Sequence, residues 1–386
     1  MNGETVNHRH NVSYLAPDLP PVTTRQIGKH CLASALIYGV LLVFITFNPY
    51  FRDLLSVPFR GVPARQLYLY GYLLYLAVTP VILLVSRPRS LWLSKNVLIA
   101  GYARRLLTSL LSGSGSAPAG SRWPAYAEKH AMMFLLIKVF YGPLMIHSAL
   151  IEYNALPSLI HQLRASGSWL GICDRGYLLL VSGVFFLDSL LFIVGYHTES
   201  GFLKNRLRYA ETNVWHILVC IACYPPFNMV TCALLGPSNH HVAIQFAGQF
   251  PGDLTNPITW ILRGAAVLFL LLLLSASAAL FTKASNLTNR GIVQSGPYRY
   301  IRHPGYLAKN MFWLMTLIPV LVPNTSHPNY TWMNHLIFCG VTLWGLLGWG
   351  AIYYLRSLTE ETFLSKDPDY VAYCQKVRYR FIPGVL

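Results

Sequence analysis

Long runs of apolar residues alternate with shorter polar connections along most of the chain. A membrane-spanning helix needs about 20 predominantly apolar residues. Runs that reach or approach this length cover 31–47, 66–86, 131–151, 177–196, 213–235, 258–282 and 332–355, and a shorter one covers 311–323. The pattern therefore predicts an all-α, polytopic membrane bundle of about eight transmembrane helices.

The composition excludes a soluble enzyme. Hydrophobic residues make up 54% of the 386 residues and charged residues only 11%, whereas a soluble domain carries about a quarter charged residues. The seven cysteines lie mostly inside apolar runs and show no disulfide or zinc spacing. We interpret the isolated pair Cys220 and Cys223 as small apolar residues that pack against neighbouring helices. We expect neither a metal site nor nucleic-acid binding.

Lys and Arg residues are concentrated in particular connections and produce the net charge of +16. They crowd into 87–129, 204–208, 283–309 and the C-terminal tail. The connections 236–257 and 324–331 contain no Lys or Arg. By the positive-inside rule, the first group is predicted to be cytoplasmic and the second external.

The short run 311–323 decides the predicted topology of the C-terminal part. If it crosses the membrane, the number of helices is even and both termini are cytoplasmic, in agreement with the basic tail. It then forms a tight C-terminal hairpin with the run 332–355, turning between Pro323 and Pro328. We expect an integral, multi-pass protein of a bacterial inner membrane or an endoplasmic reticulum membrane.

Composition divides the chain into four parts. Residues 112–121 (SGSGSAPAGS) have the composition of a flexible linker, and 93–111 reads as an interfacial amphipathic helix. We therefore expect an N-terminal membrane accessory part at 1–111 with two spans, central transmembrane helices at 122–257, and a catalytic core at 258–386.

The densest polar cluster borders the last spans, and such a cluster next to hydrocarbon is costly and indicates function. Residues 289–310 read NRGIVQSGPYRYIRHPGYLAKN, and the tail adds Arg356, Glu360 and Glu361. The predicted hairpin brings both segments to one membrane surface. Together they supply aromatic rings, carboxylates, guanidinium groups and the imidazole of His303. This set fits a polar, nucleotide-like cofactor beside a lipid-soluble substrate.

Three elements of this region resemble the isoprenylcysteine carboxyl methyltransferase family and its phospholipid methyltransferase relatives. They are GIVQSGPYRYIRHPGY at 291–306, Arg356-x3-Glu360-Glu361 after the hairpin, and DYVAYCQKVRYRFIP in the tail. The resemblance covers roughly 258–386. It implies an integral-membrane methyltransferase that uses S-adenosylmethionine in a cytoplasmic pocket closed by the tail. It also implies a lipophilic or lipidated substrate among the membrane lipids, such as an isoprenylcysteine carboxylate.

The resemblance implies roles for individual residues. Those implied to bind the cofactor are Arg290, Gly291, Ile292, Tyr298, His303, Pro304, Gly305, Tyr306 and Glu360. Arg356, one helical turn before Glu360, would orient the acceptor carboxylate. Glu361 or His303 would serve as the base for an amine or hydroxyl acceptor. The chain departs from the family at Arg290, where relatives of the eukaryotic enzyme have histidine, and at Ala308, where glycine is common.

Two other functions stay open. The ending YCQKVRYRFIPGVL and the RHPxY element are also similar to sterol reductases, so an NADPH-dependent membrane reductase is the main alternative. A transporter would use Asp188, in the middle of the fourth long run, with Lys138 as its partner. The break at Tyr224-Pro225-Pro226 in the fifth run is a second candidate for a substrate tunnel.

Overall fold

The computed structural model describes residues 22–86, 94–111, 124–199, 203–235, 254–321 and 331–385. The predicted linker 112–121, the predicted hairpin turn and most of the connection 236–257 lie outside these ranges. Within them the chain is mostly helical with very little sheet, and six helices are long and apolar enough to cross a membrane. The prediction of an all-α helical membrane protein is therefore confirmed. The chain divides into two compact units.

The first unit, Met1–Pro143, carries the N-terminal helices. They are α1 (Thr24–Phe47), α2 (Pro49–Leu54), α3 (Ala64–Ser86), α4 (Lys95–Leu111) and the first part of α5 (Tyr126–Ala165), with β1 (Pro58–Phe59) paired to β2 (Val62–Pro63). A capping box formed by Thr23 and Gln26 begins α1, because each side chain binds a backbone N–H that the helix leaves unpaired. Helix α1 packs against α3 and α4.

The second unit, Leu144–Leu386, carries the polar cluster. Its further helices are α6 (Trp169–His197), α7 (Val214–Ile221), α8 (Asn228–Leu235), α9 (Pro257–Leu280), α10 (Pro304–Leu321), α11 (Trp332–Leu364) and α12 (Pro368–Lys376). One antiparallel ladder joins β3 (Tyr209–Ala210) to β4 (Thr288–Asn289). Short 3-10 turns lie at Phe281–Lys283 and Gly296–Arg299.

The core of the second unit lies among α6, α9, α10 and α11. Helix α9 packs against α6 and α10, and α10 packs against α11. The buried core residues are Val181, Val184, Ala266, Leu270, Leu273, Ala308, Phe312, Trp313, Trp349 and Tyr353. Leu268 and Leu347, by contrast, are 68% and 73% exposed. Apolar side chains left exposed on such helices are suited to contact with lipid.

The observed helices can be compared with the predicted spans. Candidate spans at Thr24–Phe47, Ala64–Val85, Tyr126–Ala165, Trp169–His197, Pro257–Lys283 and His335–Leu364 match the predicted runs. The run 213–235 is divided into α7 and α8, as its Pro225-Pro226 pair predicts. The run 311–323 belongs to the 18-residue helix α10, which begins earlier, at Pro304. The count of eight spans stays a prediction.

Candidate functional site

A cavity of about 160 Å³ with both apolar and charged lining residues lies in the second unit, where the segment between α9 and α10 meets the end of α11 and α12. This volume is many times what one buried water requires. The residues implied to bind a cofactor that line it are Arg290, Gly291, Ile292, Tyr298, His303, Gly305, Tyr306 and Glu360, and Arg356 lines it as well. Pro304 and Glu361 belong to the predicted set and do not line it.

The segment that enters the cavity turns at Gly291. This glycine has φ +94, a left-handed conformation that L side chains rarely adopt, and a Cβ there would lie 3.3 Å from Lys283 Nζ. Its N–H donates to Asn289 Oδ1 at 2.8 Å. The Asn289 amide in turn donates to Tyr209 Oη at 2.9 Å and to Asp367 Oδ2 at 2.7 Å. The turn is thereby tied to the tail.

The tail forms one wall of the cavity. Helix α12 begins at the Asp367-Pro368 pair, and the Asp367 side chain caps it. Arg208 Nη1 donates to Asp367 Oδ2 at 2.5 Å and to Asp369 Oδ2 at 2.7 Å. The pocket-lining residues Tyr370 and Tyr373 follow.

The tail also docks directly on the motif before α10. Tyr373 donates from its hydroxyl to the Tyr298 carbonyl at 2.7 Å. The backbone N–H groups of Arg302 and His303 donate to the carbonyls of Tyr379 and Arg380, each at 3.0 Å. Burial raises the pKa of Tyr373, so its phenol is protonated at neutral pH and available as this donor.

Glu361 holds the tail in place. Its carboxylate accepts from Arg380 Nε at 3.0 Å and from Arg380 Nη2 at 2.7 Å, and His303 Nε2 lies 3.0 Å from Oε1. Both oxygens are therefore engaged. Because a general base needs a lone pair that faces the acceptor, this geometry argues for a positioning role for Glu361 rather than a catalytic one.

Glu360, the neighbouring carboxylate, faces the cavity instead. Tyr306 donates from its hydroxyl to Glu360 Oε2 at 2.6 Å. The His303 ring stacks on the Tyr306 ring with their centroids 5.3 Å apart, and His303 Nδ1 lies 3.7 Å from Glu360 Oε2. The Glu360 side chain is 41% exposed, so it is free to accept hydrogen bonds from a bound molecule.

Arg356 is only 4% exposed, and its guanidinium is surrounded by aromatic rings. It lies 5.4, 5.0 and 5.3 Å from the ring centroids of Tyr224, Tyr306 and Tyr353. Its Nη2 donates to Asn286 Oδ1 at 3.2 Å. It forms no ion pair with any residue that the structure describes. A buried cation without an acidic partner is costly, so this position favours an anionic group on a ligand.

Basic side chains outnumber acidic ones in the lining of the cavity. They are Lys283, Arg290, Arg302, Lys309 and Arg356, and Glu360 is the one carboxylate among the described lining residues. Two of these cations are already engaged. Arg302 Nε lies 3.4 Å from Glu361 Oε1, and Arg290 Nη1 donates to the Thr198 carbonyl at 2.9 Å. The remaining cations favour a ligand that carries carboxylate or phosphate groups.

A second, smaller cavity of about 40 Å³ shares Arg356, Tyr306 and Glu360 with the first. Glu211 and His216 also line it. Sequence reasoning missed both of these residues. The available signal was the segment ETNVWH before an apolar run, which an ordinary helix start with polar caps would also produce.

Asp188 lies in the middle of α6, is buried and accepts a hydrogen bond from the Ser277 hydroxyl on α9. Ser277 lines the larger cavity. The ammonium group of Lys138 lies 4.7 Å from the centroid of the Phe134 ring. The pairing of Asp188 with Lys138 stays a prediction.

No protein-family model matches this chain, and no curated protein or solved structure matches it. The function must therefore be inferred from the residues of the two cavities.

Proposed function

We propose that this protein is an integral-membrane methyltransferase that uses S-adenosylmethionine to methylate a lipophilic acceptor. The observation that carries the proposal is Arg356, a buried guanidinium with no acidic partner among the described residues. It lines both cavities beside Glu360 and Tyr306. This arrangement supports binding of an anionic acceptor group next to a site for a polar cofactor.

The larger cavity contains the residue types that S-adenosylmethionine needs. Glu360 would accept hydrogen bonds from its hydroxyl or amino groups, and Lys283 would pair with its carboxylate. The rings of Tyr298 and Tyr306 would face its positive charge. The cofactor supplies an activated methyl group on a positively charged sulfur. Every other requirement of the reaction falls to the protein, which has to align the two reactants and exclude water.

Arg356 would do most of the alignment on the acceptor side. Its Nη2 is oriented by Asn286 Oδ1 at 3.2 Å, and the three surrounding tyrosine rings keep water away from it. Holding an acceptor oxygen in line with the methyl group converts a bimolecular reaction into an intramolecular one, which contributes up to about 7–11 kcal/mol. A carboxylate acceptor would need no base, because it binds already ionised.

The membrane setting supports a lipophilic acceptor. Candidate spans in the second unit expose apolar side chains such as Leu268 and Leu347, and the cavities lie beside these helices. An acceptor dissolved in the bilayer would reach Arg356 without leaving the membrane region. We place the cavities on the cytoplasmic side, on the strength of the positive-inside rule.

A second candidate is an NADPH-dependent membrane reductase. The observation that favours it is the basic lining of the larger cavity, which would also suit the phosphate groups of a dinucleotide. The engagement of Arg302 by Glu361 and of Arg290 by Thr198 leaves fewer free cations than the lining suggests. We therefore rank the methyltransferase first.

The proposal is tested by incubating the purified protein with S-adenosylmethionine labelled in its methyl group and with extracted membrane lipids. Label should enter the lipid fraction. The Arg356→Met variant should lose this transfer and still bind S-adenosylmethionine with wild-type affinity. Arg175→Met is the control; the Arg175 side chain is 40% exposed, and this variant should behave as wild type. The proposal is wrong if the wild type neither binds the cofactor nor labels lipid.

A further inference from the structure

The pair Glu211 and His216 has the geometry of an oriented base. Glu211 is 0% exposed, and its Oε1 accepts from the backbone N–H groups of Thr212 at 2.8 Å and Asn213 at 2.9 Å. Its Oε2 lies 2.6 Å from His216 Nδ1. Burial alone would raise the pKa of Glu211, but these hydrogen bonds outweigh it and hold the pKa below its ordinary value. Glu211 is therefore ionised at neutral pH.

The ionised carboxylate determines which nitrogen of His216 carries the proton. A carboxylate can only accept, so Nδ1 must donate to it, and Nε2 of the neutral ring keeps its lone pair. No other described residue forms a hydrogen bond with the His216 ring. The side chain is 12% exposed and lines the smaller cavity. A carboxylate that orients an imidazole in this way is a recurring arrangement for general bases.

The same small cavity is lined by Arg356, because α7 packs against α11. A base and a guanidinium without an acidic partner have complementary effects on one group. The base removes its proton, and the guanidinium stabilises the resulting negative charge. A hydroxyl group needs both effects, a carboxylate needs only the guanidinium, and a protonated amine would be repelled by it.

Building on the proposed methyltransferase function, we propose that His216 is the general base and that the acceptor is the hydroxyl group of a lipophilic phenol. His216 Nε2 takes the hydroxyl proton while the oxygen forms its bond to the methyl carbon. The bond between that carbon and sulfur breaks, and its electron pair stays on sulfur. The products are a methyl ether and a neutral thioether, and the imidazolium returns its proton to solvent.

A phenol is a better acceptor than an aliphatic alcohol for the combined action of His216 and Arg356. A phenol, with an ordinary pKa of about 10, is a far stronger acid than an aliphatic alcohol, so an imidazole base removes its proton at a lower cost. Interaction of the phenolate with Arg356 lowers this cost further. The ionisable and charged groups that line the cavity with His216 or contact its partner are Glu211, Cys220, Tyr306, Arg356, Glu360 and Lys366.

The test compares two matched probes, a farnesylated phenol and farnesylthioacetic acid, with labelled S-adenosylmethionine and the full-length protein in detergent. The wild type should methylate the phenol. His216→Gln should lower the rate of this methylation by about 10²–10⁴-fold. Glu211→Gln should lower the rate by a smaller factor, because the imidazole remains but loses the carboxylate that orients it. Calorimetry should show unchanged affinity for S-adenosylmethionine in both variants.

His161→Gln is the matched control, because His161 is exposed on α5; it should keep the wild-type rate. A variant that fails to fold will not bind S-adenosylmethionine, so calorimetry identifies it. In that case the choice between a phenol and a carboxylate acceptor still follows from which probe the wild type methylates. Methylation of the acid alone, of neither probe while S-adenosylmethionine binds, or of the phenol equally by His216→Gln would overturn the inference. Failure of the wild type to bind S-adenosylmethionine would instead contradict the proposed function.

Discussion

The substitution Glu361→Gln tests how the tail is held against the cavity. Glu361 is 12% exposed and Arg380 is 19% exposed, and they form a two-pronged pair with distances of 3.0 and 2.7 Å. A hydrogen bond to a charged group contributes about 1.5–3 kcal/mol. Glutamine keeps one acceptor oxygen but loses the charge, so we expect tail docking to weaken by about 2–3 kcal/mol. The backbone hydrogen bonds from Arg302 and His303 would remain.

Limited trypsin digestion measures this directly, because the tail contains Lys376, Arg378 and Arg380. When opening is fast relative to cleavage, the cleavage rate follows the population of the open state. A loss of about 2–3 kcal/mol corresponds to roughly 30–150-fold faster cleavage. Asp369→Asn is the matched control. The Asp369 side chain is 60% exposed, and Arg208 keeps its ion pair with Asp367 in this variant. We therefore expect the cleavage rate to change by less than about fivefold. Equal cleavage of Glu361→Gln and wild type would refute the reasoning.

Two further predictions concern stability in detergent. Gly195→Ala would place a Cβ 1.9 Å from the Ala284 carbonyl oxygen. We therefore expect thermal unfolding to show a free energy of unfolding lower by at least about 1–3 kcal/mol. Gly183→Ala is the control on the same helix; it has open space around it and should leave the stability unchanged. Hydrogen bonds hold the pKa of Glu211 below its ordinary 4.5, so the unfolded chain takes up a proton first as pH falls. Stability should therefore decrease below about pH 4.5, and less steeply in Glu211→Gln; an identical slope in both proteins would contradict the assignment.

Most of the fold could be predicted from the sequence because spanning helices leave a local signal. Each run of apolar residues is continuous in sequence, and the interruption between α7 and α8 coincides with a proline pair. The extent of α10 could not be predicted in the same way. It begins at Pro304, several residues before its apolar run, because a proline is well accommodated in the first turn of a helix.

Part of the larger cavity could also be anticipated, since the predicted residues that line it belong to one contiguous motif and one helix end. The different roles of Glu360, which faces the cavity, and Glu361, which binds the tail, could not be predicted. Neighbouring residues on a helix point about 100° apart, and only the packing of α11 shows that Glu361 faces Arg380. The role of Glu211 and His216 was equally hidden, because it depends on α7 packing against the helix that carries Arg356.

The central claim is that the larger cavity binds S-adenosylmethionine, and calorimetric titration of the purified protein tests it most directly. Titrations with S-adenosylmethionine and with NADPH are run on wild type, Glu360→Gln and Asp53→Asn, whose carboxylate is 76% exposed in the first unit. We predict that S-adenosylmethionine binds to wild type and Asp53→Asn alike, and about 10–100-fold more weakly to Glu360→Gln. Binding of NADPH without binding of S-adenosylmethionine would contradict the claim and favour the reductase.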